Sequence, residues 1–366
     1  MRQIRRHDAR WKRVAGAVVA LGILAASTGA AQAETIRSRQ WYLDAMHAEE
    51  MWRNSTGVGV TVAVVDTGVD ADLPDIRGQV LPGKDFSGME GGAQSDYDGH
   101  GTDMAVIIAG TGKSNGGTGT FGLAPGAKIL PVRFANAQAP ARGFRAMSSV
   151  AMAIRFAADS EAKIINISQA GPSQSEVNAK AVEYALSKGK LVFAGVGNSG
   201  KEGNHVLYPA AYPGVVGVAA VDEAIRATDE SERGPQVDLA APGDNIVTAC
   251  KGGTGLCRGH GTSAATALAS ASAALVWSAH PDWTANQVLR VLINTAGGPK
   301  SGEKRSDSLG YGVVRPRIAL QNPGDPGPRT SAPSPNWPRR PRSRWRRLLP
   351  GHRPVVRRVP TTATCC

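Results

Sequence analysis

The chain has 366 residues, 44 of them glycine, 42% apolar residues and a formal net charge of +12. That length suits one large or two ordinary domains with a substantial core. Of the +12, +5 lies in residues 1–13 and +9 in residues 323–366, which leaves −2 between them. The globular part is therefore nearly neutral, which argues against nucleic acid as a partner.

The N-terminus reads as an export signal over residues 1–33. Basic residues run from Arg2 to Arg13, an apolar run from Val14 to Ala26, and Ala31-Gln-Ala33 forms a small-x-small cleavage site. The expected location is secreted or on the extracytoplasmic cell surface. The alternative is a membrane anchor made by an uncleaved signal, against which the weakly apolar last third of the segment argues. Residues 34–58 follow as an arm. Trp41, Leu43, Met46, Met51 and Trp52 mark a segment that docks on a core and includes a short helix. Too few residues separate Ala33 from Trp41 for a folded prosegment.

Gly59 to Asp66 is a β-branched run that ends on an acid and then Thr67-Gly68, the pattern of a buried parallel strand delivering a side chain at its C-terminal edge. Asp70, Asp72 and Asp75 follow. They could bind a cation such as calcium, but no ligand spacing compels it, and no cofactor is expected. Asp98-Gly-His-Gly-Thr-Asp103 places His100 between glycines at a helix start. The glycines strip away bulk, as suits an imidazole that must reach both an acid and a nucleophile. Gly110-Thr-Gly-Lys-Ser114 looks like a phosphate-binding loop but has Ile107 where such a loop needs glycine, and it follows a helix. It is expected to be a mobile surface loop.

Further strands are expected at Lys128 to Arg133, Lys163 to Ser168, Leu191 to Gly195, Val215 to Val221 and Val237 to Ala240. Helices are expected at Asp103 to Ala109, Ser148 to Asp159, Gln174 to Lys188, Thr262 to Ala279 and Thr284 to Thr295. The alternation predicts a single doubly wound α/β domain over residues 59–322, with a mainly parallel sheet and helices on both faces.

Asn198, in Gly197-Asn-Ser-Gly200 after an apolar strand, serves either as a turn-former or as a hydrogen-bond donor to a developing oxyanion. Cys250 and Cys257 bracket a glycine-rich loop and, in an oxidising compartment, invite a disulfide. Such a link over so short a loop is worth about 2.5 kcal/mol in the chain-entropy model. Arg258-Gly-His-Gly-Thr-Ser-Ala-Ala-Thr-Ala267 opens a long alanine-rich helix and presents Ser263, the expected nucleophile, at the helix's positive end. A serine so placed is otherwise an N-cap. From Pro323 the composition turns to proline and arginine, which predicts a disordered tail over residues 323–366 able to adhere to anionic membrane or cell wall. A reading frame shifted near residue 323 is the alternative origin of that tail.

Val64-Val-Asp-Thr-Gly-Val69, Asp98-Gly-His-Gly-Thr-Asp103 and Gly261-Thr-Ser-Ala264, in that order, resemble the signatures of the subtilisin-like serine proteases, peptidase family S8. The resemblance implies a serine endopeptidase with protein or peptide substrates. In it Ser263 attacks the carbonyl, His100 carries the proton and Asp66 orients the imidazolium. It also implies an oxyanion hole made by Asn198 and the Ser263 N–H, and a substrate-binding strand at Ser168-Gln169-Ala170. Ser-Leu-Gly is usual there, so Gln169 and Ala170 should narrow or re-aim the pocket. The arm and the signal resemble, more narrowly, the mycosins, membrane-associated subtilases of type VII secretion, whose components are then expected partners. A catalytically weak subtilase-fold scaffold tied to a secretion machinery is the competing reading.

Overall fold

A computed structural model of the chain describes residues 35–135, 144–249 and 256–330, with side chains in the second stretch described from Ser149. After a 3₁₀ turn at Arg37–Arg39, the arm forms two short helices, α1 (Trp41–Ala45) and α2 (Ala48–Trp52), broken at His47, whose φ of 57° is left-handed. Leu43, Met46 and Met51 are buried, as the arm's apolar pattern requires. The pattern did not single out Gln40 or Tyr42, both with no exposed surface. The Gln40 amide pairs both ways with the Phe121 backbone, and the Tyr42 hydroxyl donates to Val247 O at 2.9 Å. Burying these polar groups is tolerable because each finds its partner.

The core sheet holds seven parallel strands in the order β2-β3-β1-β4-β5-β6-β7. They are β1 (Thr61–Asp66), β2 (Lys84–Asp85), β3 (Lys128–Arg133), β4 (Ile164–Ile167), β5 (Leu191–Gly195), β6 (Val216–Val221) and β7 (Leu239–Pro242). Side chains alternate between the faces, as a strand's period of two demands. Val62 and Val64 pack with α3 (His100–Ala109) and α6 (Thr262–Ala279), whereas Ala63 and Val65 face α4 (Phe144–Asp159) and α5 (Glu176–Ser187). The two-faced core accounts for the uninterrupted apolar strands. An antiparallel hairpin, β8 (Ile246–Ala249) with β9 (Leu256–Gly259), leads into α6, and α7 (Ala285–Thr295) and α8 (Pro316–Gln321) close the fold. Cys250 lies outside the described residues.

β1 sits between β3, reached by one crossover direction, and β4, reached by the other, so the sheet reverses direction of winding there. In open parallel sheets the crevice beyond the C-terminal ends at such a switch point is where ligands are bound. Asp66 is the last residue of β1, and Ser168 and Asn198 lie just past the ends of β4 and β5.

The loop after α3 does not form a phosphate cradle. Ser114 N, Ser114 Oγ and Thr120 N all donate to the Asp75 carboxylate at 2.7, 2.8 and 3.0 Å. The donors that a phosphate would need are aimed at a carboxylate of the chain itself.

Residues 323–329, where the composition has already turned to proline and glycine, lie along α7. Gln287 Nε2 donates to Gly327 O at 2.9 Å, Arg290 to Pro326 O, and Arg329 Nη1 to Asp282 O at 2.8 Å. A proline-rich run keeps its carbonyls free to accept, so it can be tied down without burying aliphatic side chains. Ending the chain after Asn322 should therefore lower the melting temperature relative to ending it after Thr330. The expected difference is about 2–4 °C for each kcal/mol of lost contacts, read by calorimetry on the two truncations.

Candidate active site

Asp66, His100 and Ser263 come from β1, the start of α3 and the start of α6. His100 Nδ1 lies 2.8 Å from Asp66 Oδ1, and Asp66 has no exposed surface while the imidazole is 27% exposed. The buried carboxylate also accepts from Thr67 N at 2.8 Å. In the neutral ring that arrangement favours the tautomer with the proton on Nδ1, which leaves Nε2 as the ring's acceptor. Ser263 is not the N-cap of α6. Gly261 is, with φ 116° and no side-chain cap, so the serine hydroxyl is spared for other work. At rest Ser263 Oγ donates to Ser168 O at 2.8 Å.

Asn198 is exposed, and its Oδ1 is occupied by Thr262 N at 2.8 Å and Thr262 Oγ1 at 3.0 Å. Both partners are donors, so the acceptor end is turned inward and the Nδ2 end is left to donate. Gly261 is required at this point, because a Cβ there would lie 2.6 Å from Asn198 Nδ2. Gly259 has nothing within 4 Å of where its Cβ would be. Ser263 N–H belongs to the first turn of α6, where helix geometry offers no internal acceptor.

Asp98, His100, Ser168, Gln169, Ala170, Gly197, Asn198, Leu207, Thr262 and Ser263 line one cleft of about 280 Å³. All three residues of the expected substrate strand thus reach it, but they differ in what they do. Ser168 is spent on structure: its Oγ accepts from Asn166 Nδ2 and donates to Ser263 O, both at 3.0 Å. Ala170 is exposed. A larger hollow of about 470 Å³ opens around His260, Glu230, Asp222 and Arg226. Its charges pair among themselves, as in His260–Glu230 and Arg226–Asp222 at 2.8 Å, and no triad residue lines it.

Asp96 falls outside every motif singled out above. It is 5% exposed, and its carboxylate accepts from Thr67 Oγ1, Asp98 N, Gly99 N, Thr102 N and Thr102 Oγ1 at 2.6–3.0 Å. Thr67 follows Asp66 and Thr102 follows His100 by two, so one carboxylate ties the two functional segments together. Glu232, also without exposed surface, accepts from Ser199 Oγ at 2.6 Å beneath the Asn198 turn, and burial pushes its carboxyl up. Neither acid lies in a periodic pattern. The only available signal for Asp96 was an acid four residues before the histidine.

Residues 57–312 match the family model described as Subtilase family, Peptidase_S8. The chain belongs to the subtilase family. Among relatives of this subtilase, fervidolysin of Fervidobacterium pennivorans is 33% identical over 324 residues, covering 81% of this chain but only 46% of fervidolysin. The chain thus spans less than half of that relative's length. Among solved structures, MycP1 from Mycobacterium smegmatis superposes with a TM-score of 0.70 at 28% identity, over 80% of this chain and 86% of MycP1. The MycP3 protease from the type VII (ESX-3) secretion system does so with a TM-score of 0.65 at 32% identity, over 77% and 88%. These likenesses agree with the mainly parallel sheet and its covering helices.

Electrostatics set the working pH of this site. Burial pushes the His100 imidazolium down, but the Asp66 charge and hydrogen bond, with Asp103 and Asp98, outweigh it and raise the group to about 9. Asp103, one turn along α3, is raised to about 7, chiefly by burial and despite the attraction of His100, and its Oδ1 is buried without a hydrogen bond. Only neutral imidazole accepts a proton, so kcat/KM should climb with pH toward about 9. Asp103→Asn removes an anion that holds the imidazolium and should move that climb to lower pH. It should also protect the fold at neutral pH. The native Asp103 carboxyl titrates above its unfolded value of 3.8, so wild type loses stability as pH rises through about 7 while the amide variant does not. Rate profiles and melts from pH 4 to 10 would check both signs. Asp96→Ala, which strands several buried donors, should cost about 3 kcal/mol or more in denaturant unfolding, with turnover falling in step.

Proposed function

We propose that this chain is an exported serine endopeptidase that hydrolyses peptide bonds through Asp66, His100 and Ser263. The observation that carries the reading is that His100, bonded from behind to the buried Asp66, lines one cleft at the sheet's switch point together with Ser263 and the donor end of Asn198. A peptide laid in the cleft meets the Ser263 hydroxyl once that group turns from Ser168 O toward His100 Nε2. The oxygen attacks the carbonyl carbon as Nε2 takes its proton. Asp66, already bonded to Nδ1–H, stabilises the imidazolium so formed. The carbonyl oxygen becomes an oxyanion that accepts from Asn198 Nδ2 and Ser263 N–H. His100 then returns the proton to the leaving amine, and a water repeats the sequence on the acyl-enzyme.

Export is supported by the signal pattern in residues 1–33, and a Cys250–Cys257 disulfide by Cys257 carrying no free thiol. An extracytoplasmic place beside a type VII secretion machinery is supported by the likeness to MycP1 and MycP3. Among the described residues no helix is long and apolar enough to cross a membrane. The arginine-rich residues beyond 330 supply the charge for adhesion to an anionic surface.

A fluorophosphonate probe should label wild type at Ser263 and leave Ser263→Ala untouched, with peptide hydrolysis lost in that variant while its melt is unchanged. Failure to label wild type at any pH would favour a catalytically silent scaffold. Asn198→Ala should slow kcat by about 10² to 10³-fold, through loss of one oxyanion donor.

A further inference from the structure

Gln169 does more than line the cleft. Its Nε2 lies 3.2 Å from Asp66 Oδ1 and 3.1 Å from His100 Nδ1, while those two atoms are 2.8 Å apart. The three heavy atoms form a nearly equilateral triangle. Oδ1 can only accept, so the consistent assignment has both nitrogens donating to it, with the amide standing over the Asp66–His100 hydrogen bond. The remaining edge of the triangle is a close approach of two donors. The same short segment also holds the nucleophile, since Ser168 O accepts from Ser263 Oγ.

We propose that Gln169 is a positioning residue of the hydrolytic site, whose carboxamide pins the Asp66 carboxylate and selects the His100 orientation in which Nδ1–H points at Asp66. The inference rests on the serine endopeptidase reading. It reassigns the side chain from the substrate pocket to the triad. Gln169 still lines the cleft beside Ala170, but its amide is committed to the triad. Two electrostatic consequences have the same sign. The amide shares Asp66 Oδ1 with the imidazole and so weakens the carboxylate's hold on the imidazolium. Its positive end also faces Nδ1, which opposes a second proton on the ring. The other charges acting on His100 are Asp66 from β1, Asp98 from the preceding turn and Asp103 from α3. All are negative. Gln169 is thus the neutral group that tempers a one-sided field, keeping the base deprotonated at lower pH than the acids alone would allow.

The test uses the full chain and two near-isosteric variants, Gln169→Met and Gln169→Glu. Rates of fluorophosphonate labelling and of peptide hydrolysis are measured from pH 5 to 10. Gln169→Met should move the acidic limb of both profiles up by about half a pH unit, and Gln169→Glu should move it further. The plateau kcat of Gln169→Met should fall about tenfold with KM little changed, because a loosened base costs transition-state alignment rather than binding. The low-field proton resonance of the Asp66–His100 hydrogen bond should shift in Gln169→Met. A changed KM with unmoved profiles, plateau and resonance would make Gln169 a pocket residue only and overturn the inference. If wild type is not labelled at any pH, the hydrolase reading fails instead, and the resonance alone still decides whether Gln169 positions the pair.

Discussion

One buried carboxylate holds the site in register. Asp96 is nearly inaccessible to water, and burying an unpaired anion would be prohibitive. Five donors, all drawn from the segments that follow β1 and open α3, offset that cost. The constraint works in both directions: the carboxylate is stable only where those donors converge, and the donors are satisfied only if the end of β1 meets the start of α3. The Asp66–His100 contact follows from that meeting. Gly101 makes it possible at close range, since a Cβ there would collide with Gly68 O and lie 3.1 Å from the Asp66 Cβ. A second tie anchors the segment that carries Asp96. Arg133, 1% exposed at the end of β3 and paired in register with Asp66, donates to Gly92 O at 2.7 Å and lies over the Tyr97 ring.

Ser263, the proposed nucleophile, is delivered by a different device. α6 runs against the sheet as an almost wholly buried helix, and its alanines let the backbone approach where larger side chains would hold it off. Its polar residues are not exceptions to burial but are each answered. Thr266 and Ser272 donate to carbonyls one turn back, and Ser270 donates to Asn166 Oδ1 at 2.9 Å. Asn166 in turn donates to Ser168 Oγ, and Ser168 Oγ to Ser263 O. A chain of hydrogen bonds therefore runs from the middle of the helix through β4 to Ser263, so β4 and α6 place that residue jointly. Such networks fix geometry when every member is satisfied.

Residues whose role follows from local pattern were legible in the sequence. The apolar runs of β3 and β5 and the helix of α6 are found over the very residues that their composition marked, since a strand buried on both faces must be apolar throughout. Asp66, His100, Asn198 and Ser263 stood out because glycines and apolar strands frame them. What stayed hidden depends on distant partners. The two-residue β2 is too short to carry a period. Asp96, Glu232 and Gln40 are polar residues in unpatterned stretches, and nothing local says that their partners will enclose them. Gln169 was visible as an oddity beside Ser168, but its neighbourhood with His100 arises from residues 69 positions apart, a relation that only the fold creates. The switch at Pro323 was visible too, yet it marked a change of composition rather than the end of packing. Backbone carbonyls, which every residue has, do the binding to α7.

The carboxylates around His100 place two requirements in opposition. Serine attack needs a base strong enough to take a proton from an alcohol, and every acid near the imidazole strengthens it by favouring the charged form. A stronger base is also more fully protonated, and so idle, at neutral pH. Catalytic efficiency in general base chemistry is greatest where these effects balance near the working pH. Here the field is built from Asp66, Asp98 and Asp103, and the last has a buried oxygen with no hydrogen-bond partner. An acid in the first turn of α3 is helped by the helix N-terminus, which partly answers for its burial. Its own elevated titration adds a second control: below about pH 7 Asp103 takes up a proton and its attraction for the imidazolium fades. The acid field therefore weakens as the medium turns acidic, which softens the loss of free base that acid would otherwise bring. The protonation of Asp103 and the availability of His100 are coupled through the one helical turn that separates them.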